Sequence, residues 1–153
     1  MDIKVTEVNE ELTAALQEKQ EEAIELLQVS ETETPKEVVK KIREYADKLL
    51  KEVTNEDELF EYALQLGSLW GSMVVKQYNW TWKHLDFGKD GQGIYVVSPN
   101  AYYCCPPLYF LNKIMQSNNA GLDGKNDNTI MLLFNMIDGI ENDKPAHKYQ
   151  VIS

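Results

Sequence analysis

The sequence predicts an α+β fold in which N-terminal helices pack on a three-stranded antiparallel meander, closed by one or two C-terminal helices. Three observations carry that prediction. Apolar residues recur at helical spacing through the first 75 residues, the pattern then alternates with period two from Asn79 to Cys105, and a helical period returns after Pro107. A chain of 153 residues should bury roughly 70% of the surface its unfolded form exposes, so one core suffices and residues 1–153 are expected to form one domain. With 43% hydrophobic, 26% charged and 10% aromatic residues, the composition is that of a globular protein.

Taken in order, the first apolar stripe is Val5, Val8, Leu12, Leu16, Ala23, Leu26 and Leu27, with Glu and Gln on the other face. This predicts a helix from near the N-terminus. Thr34-Pro35-Lys36-Glu37 then offers a capping Thr, a Pro at the first helical position and a Glu three residues after the Thr, which is a capping box. The second helix should bury Val38, Ile42, Tyr45, Ala46, Leu49, Leu50 and Val53, with Glu37 and Lys41, or Glu44 and Lys48, paired on its outer side. A third helix opens at Thr54 or Asn55, where Glu56, Asp57 and Glu58 are favoured by the positive end of the helix dipole. Its stripe includes Gly67 and Gly71, one turn apart. Each glycine costs about 1 kcal/mol relative to Ala inside a helix, so a neighbouring helix or the sheet is expected to press on that strip.

Trp80, Trp82 and His84 then alternate with Thr81, Lys83 and Leu85 in a first strand. Gly88, Gly91 and Gly93 mark a hairpin loop, residues 94–97 return as a second strand, and residues 101–105 form a third that Pro106-Pro107 ends. A helix over residues 108–116 follows. The polar stretch 117–128 reads as a loop, Thr129 as the cap of a last helix over residues 130–136 that Gly139 ends, and the remainder as a tail or edge strand.

Charge is laid out unevenly. Residues 1–61 hold 18 Asp and Glu against 8 Lys and Arg, so the formal net charge of −10 lies entirely there, while residues 62–153 hold seven of each sign. This divides the chain into an acidic helical part, 1–61, and a balanced mixed part, 62–153. Such an acidic field attracts basic partners and repels nucleic-acid phosphate. The longest apolar runs, such as Ile130-Met131-Leu132-Leu133-Phe134, stop far short of the ~20 residues of a bilayer span, and Met1-Asp2-Ile3-Lys4-Val5 lacks the layout of a secretory signal. A cytoplasmic protein that touches neither membrane nor nucleic acid is expected.

Residues with chemical potential are few. Cys104 and Cys105 are adjacent and point to opposite faces of an extended segment, so they read as a structural pair, one thiol in the core and one nearer solvent. They lack the ligand company that zinc requires. Asp123, Lys125 and Asp127 fall at alternate positions, but the third, sixth and twelfth places of an EF-hand loop would hold Lys125, Asn128 and Phe134. No metal or cofactor is expected. His84 has Asp86 nearby and lies on the Trp80/Trp82 face, yet no Gly-x-Ser-x-Gly elbow or activated Cys supplies a nucleophile. What stands out is Glu18, Glu21, Glu22 and Glu25 crowding about two turns of the first helix, which with Asp123 and Asp127 are the expected partner-binding residues.

Leu66-Gly67-Ser68-Leu69-Trp70-Gly71, Trp80-Thr81-Trp82, Tyr95-Val96-Val97-Ser98-Pro99 and Pro106-Pro107-Leu108 together resemble a group of small bacterial α+β domains of unknown function. Some relatives of that group accompany polymorphic or contact-dependent toxins as immunity proteins. The resemblance covers residues 60–116 and implies a fold; it marks no catalytic site and transfers no functional residue. The expected function is therefore that of a non-enzymatic immunity or inhibitor protein that neutralises a basic toxin by protein–protein binding. Two alternatives stand beside it: a small hydrolase or ligand-binding enzyme with a pocket at Trp80, Trp82 and His84, and a homo-oligomeric scaffold joined through the N-terminal helices.

Overall fold

The computed structural model describes residues 3–116, 125–140 and 143–153. Among them the order is β1 (Lys4–Glu7), α1 (Glu10–Leu27), α2 (Pro35–Glu52), α3 (Glu56–Tyr78), β2 (Thr81–Asp86), β3 (Gln92–Val97), β4 (Tyr103–Cys105), α4 (Pro107–Met115), α5 (Lys125–Ile140) and β5 (Gln150–Val151), with a 3-10 turn, Gly88–Asp90, between β2 and β3. The architecture is α+β.

The helix starts obey local chemistry. The Asn9 side chain accepts the Leu12 N–H at 2.8 Å, Thr34 and Glu37 close the capping box of α2, and the Asn55 carboxamide oxygen accepts the N–H groups of both Asp57 and Glu58. Asn9 also explains why the first helix begins later than its apolar stripe suggests. Val5 lies in β1, an extended segment that the cap cuts off from α1, and its register on β2 sets Lys4 opposite Asp86 and Glu7 opposite Lys83. Two opposite-charge pairs directly across the ladder favour that register, and Lys83 donates to Glu7. On α2 the expected pairs with Glu37 and Glu44 give way to others. Lys41 reaches Glu33 at 2.7 Å and the Gln28 carbonyl at 3.0 Å, while Lys48 lies over the Tyr45 ring.

The sheet is broader than the three-stranded meander expected. β2, β3 and β4 pair antiparallel in chain order, but β1 adds to β2, and β5 adds to β4 in parallel, giving a five-stranded mixed sheet of order β1-β2-β3-β4-β5. Strands this short carry no periodic signal, and their pairing is decided by distant partners. The last helix is also longer than expected: α5 begins at Lys125, and Gly139 lies inside it.

The main core gathers Ile42 and Ala46 of α2, Leu66, Trp70 and Val74 of α3, Phe110 and Leu111 of α4, Ile130, Phe134 and Ile137 of α5, and Val96 and Cys105 of the sheet. Full burial of one such large side chain contributes about 1.5–3 kcal/mol. Polar groups inside are placed to match: the Trp70 indole N–H donates to the Ile130 carbonyl at 3.2 Å, and the Tyr78 hydroxyl to the Phe134 carbonyl at 2.9 Å, so both tie α3 to α5. On the opposite sheet face Leu85, Val97 and Cys104 form a smaller cluster against Phe87, Tyr95 and Tyr149. The two cysteines thus point to opposite faces, but both are fully buried. The expectation of one thiol nearer solvent is corrected, because the aromatic side chains of the second face close over Cys104.

The glycine strip of α3 has a definite cause. A Cβ on Gly67 would lie 2.8 Å from the Pro107 carbonyl oxygen and 3.0 Å from the Leu108 Cα; one on Gly71 would lie 2.5 Å from the Trp82 ring and 2.9 Å from the Pro107 Cγ. The neighbours are the start of α4 and one sheet side chain.

Candidate functional site

Helix α1 places its carboxylates by period. Glu18, Glu21 and Glu25 stand within about 60° of one another around the axis, opposite the buried Leu16 and Ala23, and all three are exposed. Glu22 sits on the flank, half-buried. There Lys19 donates to Glu22 and to Glu61 of α3, each at 3.2 Å, so one ammonium joins the acids of two helices. Burial works against the charge on Lys19, but hydrogen bonds to Glu61 and Glu22 and the pull of their charges outweigh it and raise its pKa.

The acidic surface continues onto α3, whose Glu56, Asp57, Glu58 and Glu61 are exposed. Asp57, Glu58, Glu61, Tyr62 and Gln65 line a shallow hollow of about 510 Å³ there. Helix α1 carries six carboxylates against Lys19, and residues 56–61 carry four against no Lys or Arg, equivalent to nine of the ten net negative charges. Helix α2, with six basic and four acidic residues, takes no part in the excess. Asp123 lies outside the described residues. Asp127 falls in the first turn of α5, but its side chain is likewise outside what is described.

The aromatic candidates separate. Trp80 is 1% exposed and belongs to the core, while Trp82 lies half-buried against Gly71. Both border a hollow of about 490 Å³ between α1, α3 and β2, together with Thr13, Leu16, Gln17 and Ser72. His84 is not in that lining. It sits mid-strand between Thr6 and Ile94, and Asp86 accepts the backbone N–H of Gly88 at 2.8 Å. Burial pushes the Cys104 thiol up to about 12 and that of Cys105 well above its ordinary value, so both are held as unreactive thiols. Among the described residues, no three His, Cys, Asp or Glu side chains gather as a metal site would require.

A third hollow, larger than these two, is one the sequence reading did not single out. It has a volume of about 1360 Å³ and runs along β3 and the start of α4 to the C-terminal residues, bordered by Phe87, Ile94, Tyr95, Leu108, Tyr109 and Tyr149 among others. One local signal pointed there: Pro106-Pro107 ends β4 at a place where β3 continues. No helix among the described residues is long and apolar enough to cross a membrane. No family model, curated protein or solved structure matches this chain.

Proposed function

We propose that this chain is a non-enzymatic binding protein of the immunity type, which neutralises a basic protein partner, a toxin domain, through the acidic surface of α1 and the first turns of α3. The single observation that carries the reading is the concentration of nine of ten net negative charges on two helices joined at Lys19. A surface of one sign speeds capture of a cationic partner, and its effect falls as salt screens it. Glu18, Glu21, Glu22 and Glu25 form the centre of that surface, with Glu61 beside them. Asp123 and Asp127 are further partner-binding residues in this reading. Two buried, reduced cysteines fit a cytoplasmic site of action.

The test is capture of a basic partner from the native host with the purified chain, co-expression of the two, and association kinetics of the purified pair. Wild type should protect the cell, and reversal of Glu18, Glu21, Glu22 and Glu25 to Lys should slow association by about tenfold or more at low salt and abolish its salt dependence. An unchanged rate and an unchanged salt slope would remove the proposal.

A further inference from the structure

Strand β3 continues where β4 stops. The registered pairs between them are Val96 with Cys105 and Val97 with Cys104, after which Pro106 and Pro107 have no N–H to donate and the chain turns into α4. Residues 92–95 remain paired with β2 on one side, Ile94 opposite His84 and Gln92 opposite Asp86. On the other side they run past the end of β4.

Alternation decides which backbone groups this leaves. Antiparallel neighbours alternate between pairs that exchange hydrogen bonds and pairs that do not. The Gly91 carbonyl accepts the Phe87 N–H at 2.8 Å on the β2 side, and the Ser98 N–H donates to the Tyr103 carbonyl at 2.9 Å on the β4 side. Odd-numbered residues of β3 therefore bond to β2, and Gln92, Ile94 and Val96 turn their N–H and C=O groups towards β4. Val96 meets Cys105. Gln92 and Ile94 have no strand partner on that side among the described residues.

The hollow of about 1360 Å³ lies along this edge. β4 lies between β3 and β5 as far as Cys105, and beyond its end an open lane borders residues 92–95 of β3, where an added strand would sit about 4.8 Å from its neighbour. Tyr95 and Tyr149 pack with Cys104 on one face of the sheet, and Leu108 and Tyr109 border the hollow from α4; Tyr109, 63% exposed, and Val151, 41% exposed, are exposed apolar side chains of that lining.

We propose that this lane receives an extended peptide from another protein, which adds to β3 as a strand and bonds the N–H and C=O groups of Gln92 and Ile94. The occupant follows from the groups on offer: backbone donors and acceptors at two-residue spacing are matched by another extended backbone, and the apolar lining by Ile94, Tyr95, Leu108 and Tyr109 suits its apolar side chains. Charge sets its chemistry apart from that of the basic partner. Asp90 and Lys148 border the hollow with opposite signs and none of the α1 or α3 carboxylates does, so the peptide is neutral.

The probe is a pool of acetylated, amidated peptides of about eight residues that alternate Thr with Val, Ile, Phe or Tyr, added to the full chain. Amide exchange at Ile94 should slow by about tenfold at saturation, and N-methylation of alternate peptide amides should weaken binding by about tenfold. Ile94→Pro should do the same. It removes the N–H facing the lane, spares the ladder to β2 and suits a strand edge. Should that variant not fold, Tyr109→Ala, which trims an exposed wall, should weaken binding several-fold. Absence of binding, indifference to N-methylation, or self-association of the chain that Ile94→Pro abolishes would each overturn the proposal. Reversing Glu18, Glu21 and Glu25 should leave peptide binding unchanged, so this site and the acidic surface stand or fall separately; loss of peptide binding in that variant also overturns the lane.

Discussion

Gly67 and Gly71 on α3, and Glu21 and Glu25 on α1, are pairs spaced alike, one turn apart on a helix, yet they mark opposite kinds of surface. At the glycines the start of α4 and the Trp82 ring come within 3 Å of where a single carbon would stand. At the glutamates the side chains are exposed and free of close packing. Shape controls the first surface and charge the second, because dispersion and overlap act over tenths of an ångström whereas charge acts over a Debye length of about 8–10 Å. Substitutions should therefore be felt in stability at the seam and in association at the acidic face.

The sharpest test of that contrast is Gly71→Ala. Overpacking costs about 1–3 kcal/mol, and with the Trp82 ring and Pro107 both in the way a net loss of about 2 kcal/mol is expected even after the gain in helix propensity. Chemical denaturation measures it, and a stability equal to wild type would mean that the seam can open.

Next in size is a pH effect on the thiols. Both Cys residues are kept neutral by burial when folded, while in the unfolded chain they ionise near the ordinary value of 9.0. The folded state then holds more protons, so stability falls as pH rises from about 9 towards 12. At pH 10 the loss from Cys104 is on the order of 1 kcal/mol. Urea midpoints at pH 8 and pH 10 should show a drop that Cys104→Ala reduces by that amount; an equal drop in both proteins would place the pH dependence elsewhere.

A smaller effect belongs to the helix start beneath the acidic surface. Asn55 accepts two N–H groups at the head of α3, so Asn55→Ala should cost about 1 kcal/mol in thermal or urea unfolding. The smallest effect completes the comparison: Glu18, Glu21 and Glu25 reversed to Lys should change stability by less than about 0.5 kcal/mol, since exposed charges contribute only tenths each. Differential scanning calorimetry of the triple variant beside Gly71→Ala would show one carbon outweighing three reversed charges. If the order came out inverted, the acidic face would be a structural element and not a docking surface.

The local elements were legible because their causes are local. Thr34-Pro35-Lys36-Glu37 announced α2, Asn55 with its acidic turn announced α3, and the two close glycines announced a near neighbour. Other features were not legible. Val5 looked like the first member of a helical stripe, and only Asn9 as a cap and β2 as a partner make it a strand residue. The C-terminal stretch read as a tail or an edge strand, and only pairing with β4 decides for the strand at residues 150–151. Among the candidate residues, Trp80 and Trp82 do border one hollow, but His84 is not part of its lining. The hollow beside β3 was hidden because its walls come from β3, α4 and the C-terminal residues, which are far apart in the chain.

By itself the sequence determined the starts of α2 and α3, the confinement of negative charge to the first 61 residues, and the opposite facing of Cys104 and Cys105, since caps, counts and strand alternation need only neighbouring residues. Tertiary structure decided which distant segments share a surface: that Lys19 joins the acids of α1 to Glu61 of α3, that Pro107 and Trp82 fill the glycine strip, and that β3 outruns β4 beside an open lane. Those outcomes depend on register and packing between residues tens of positions apart, where free energy is settled by the fit of whole elements and leaves no periodic trace in either segment.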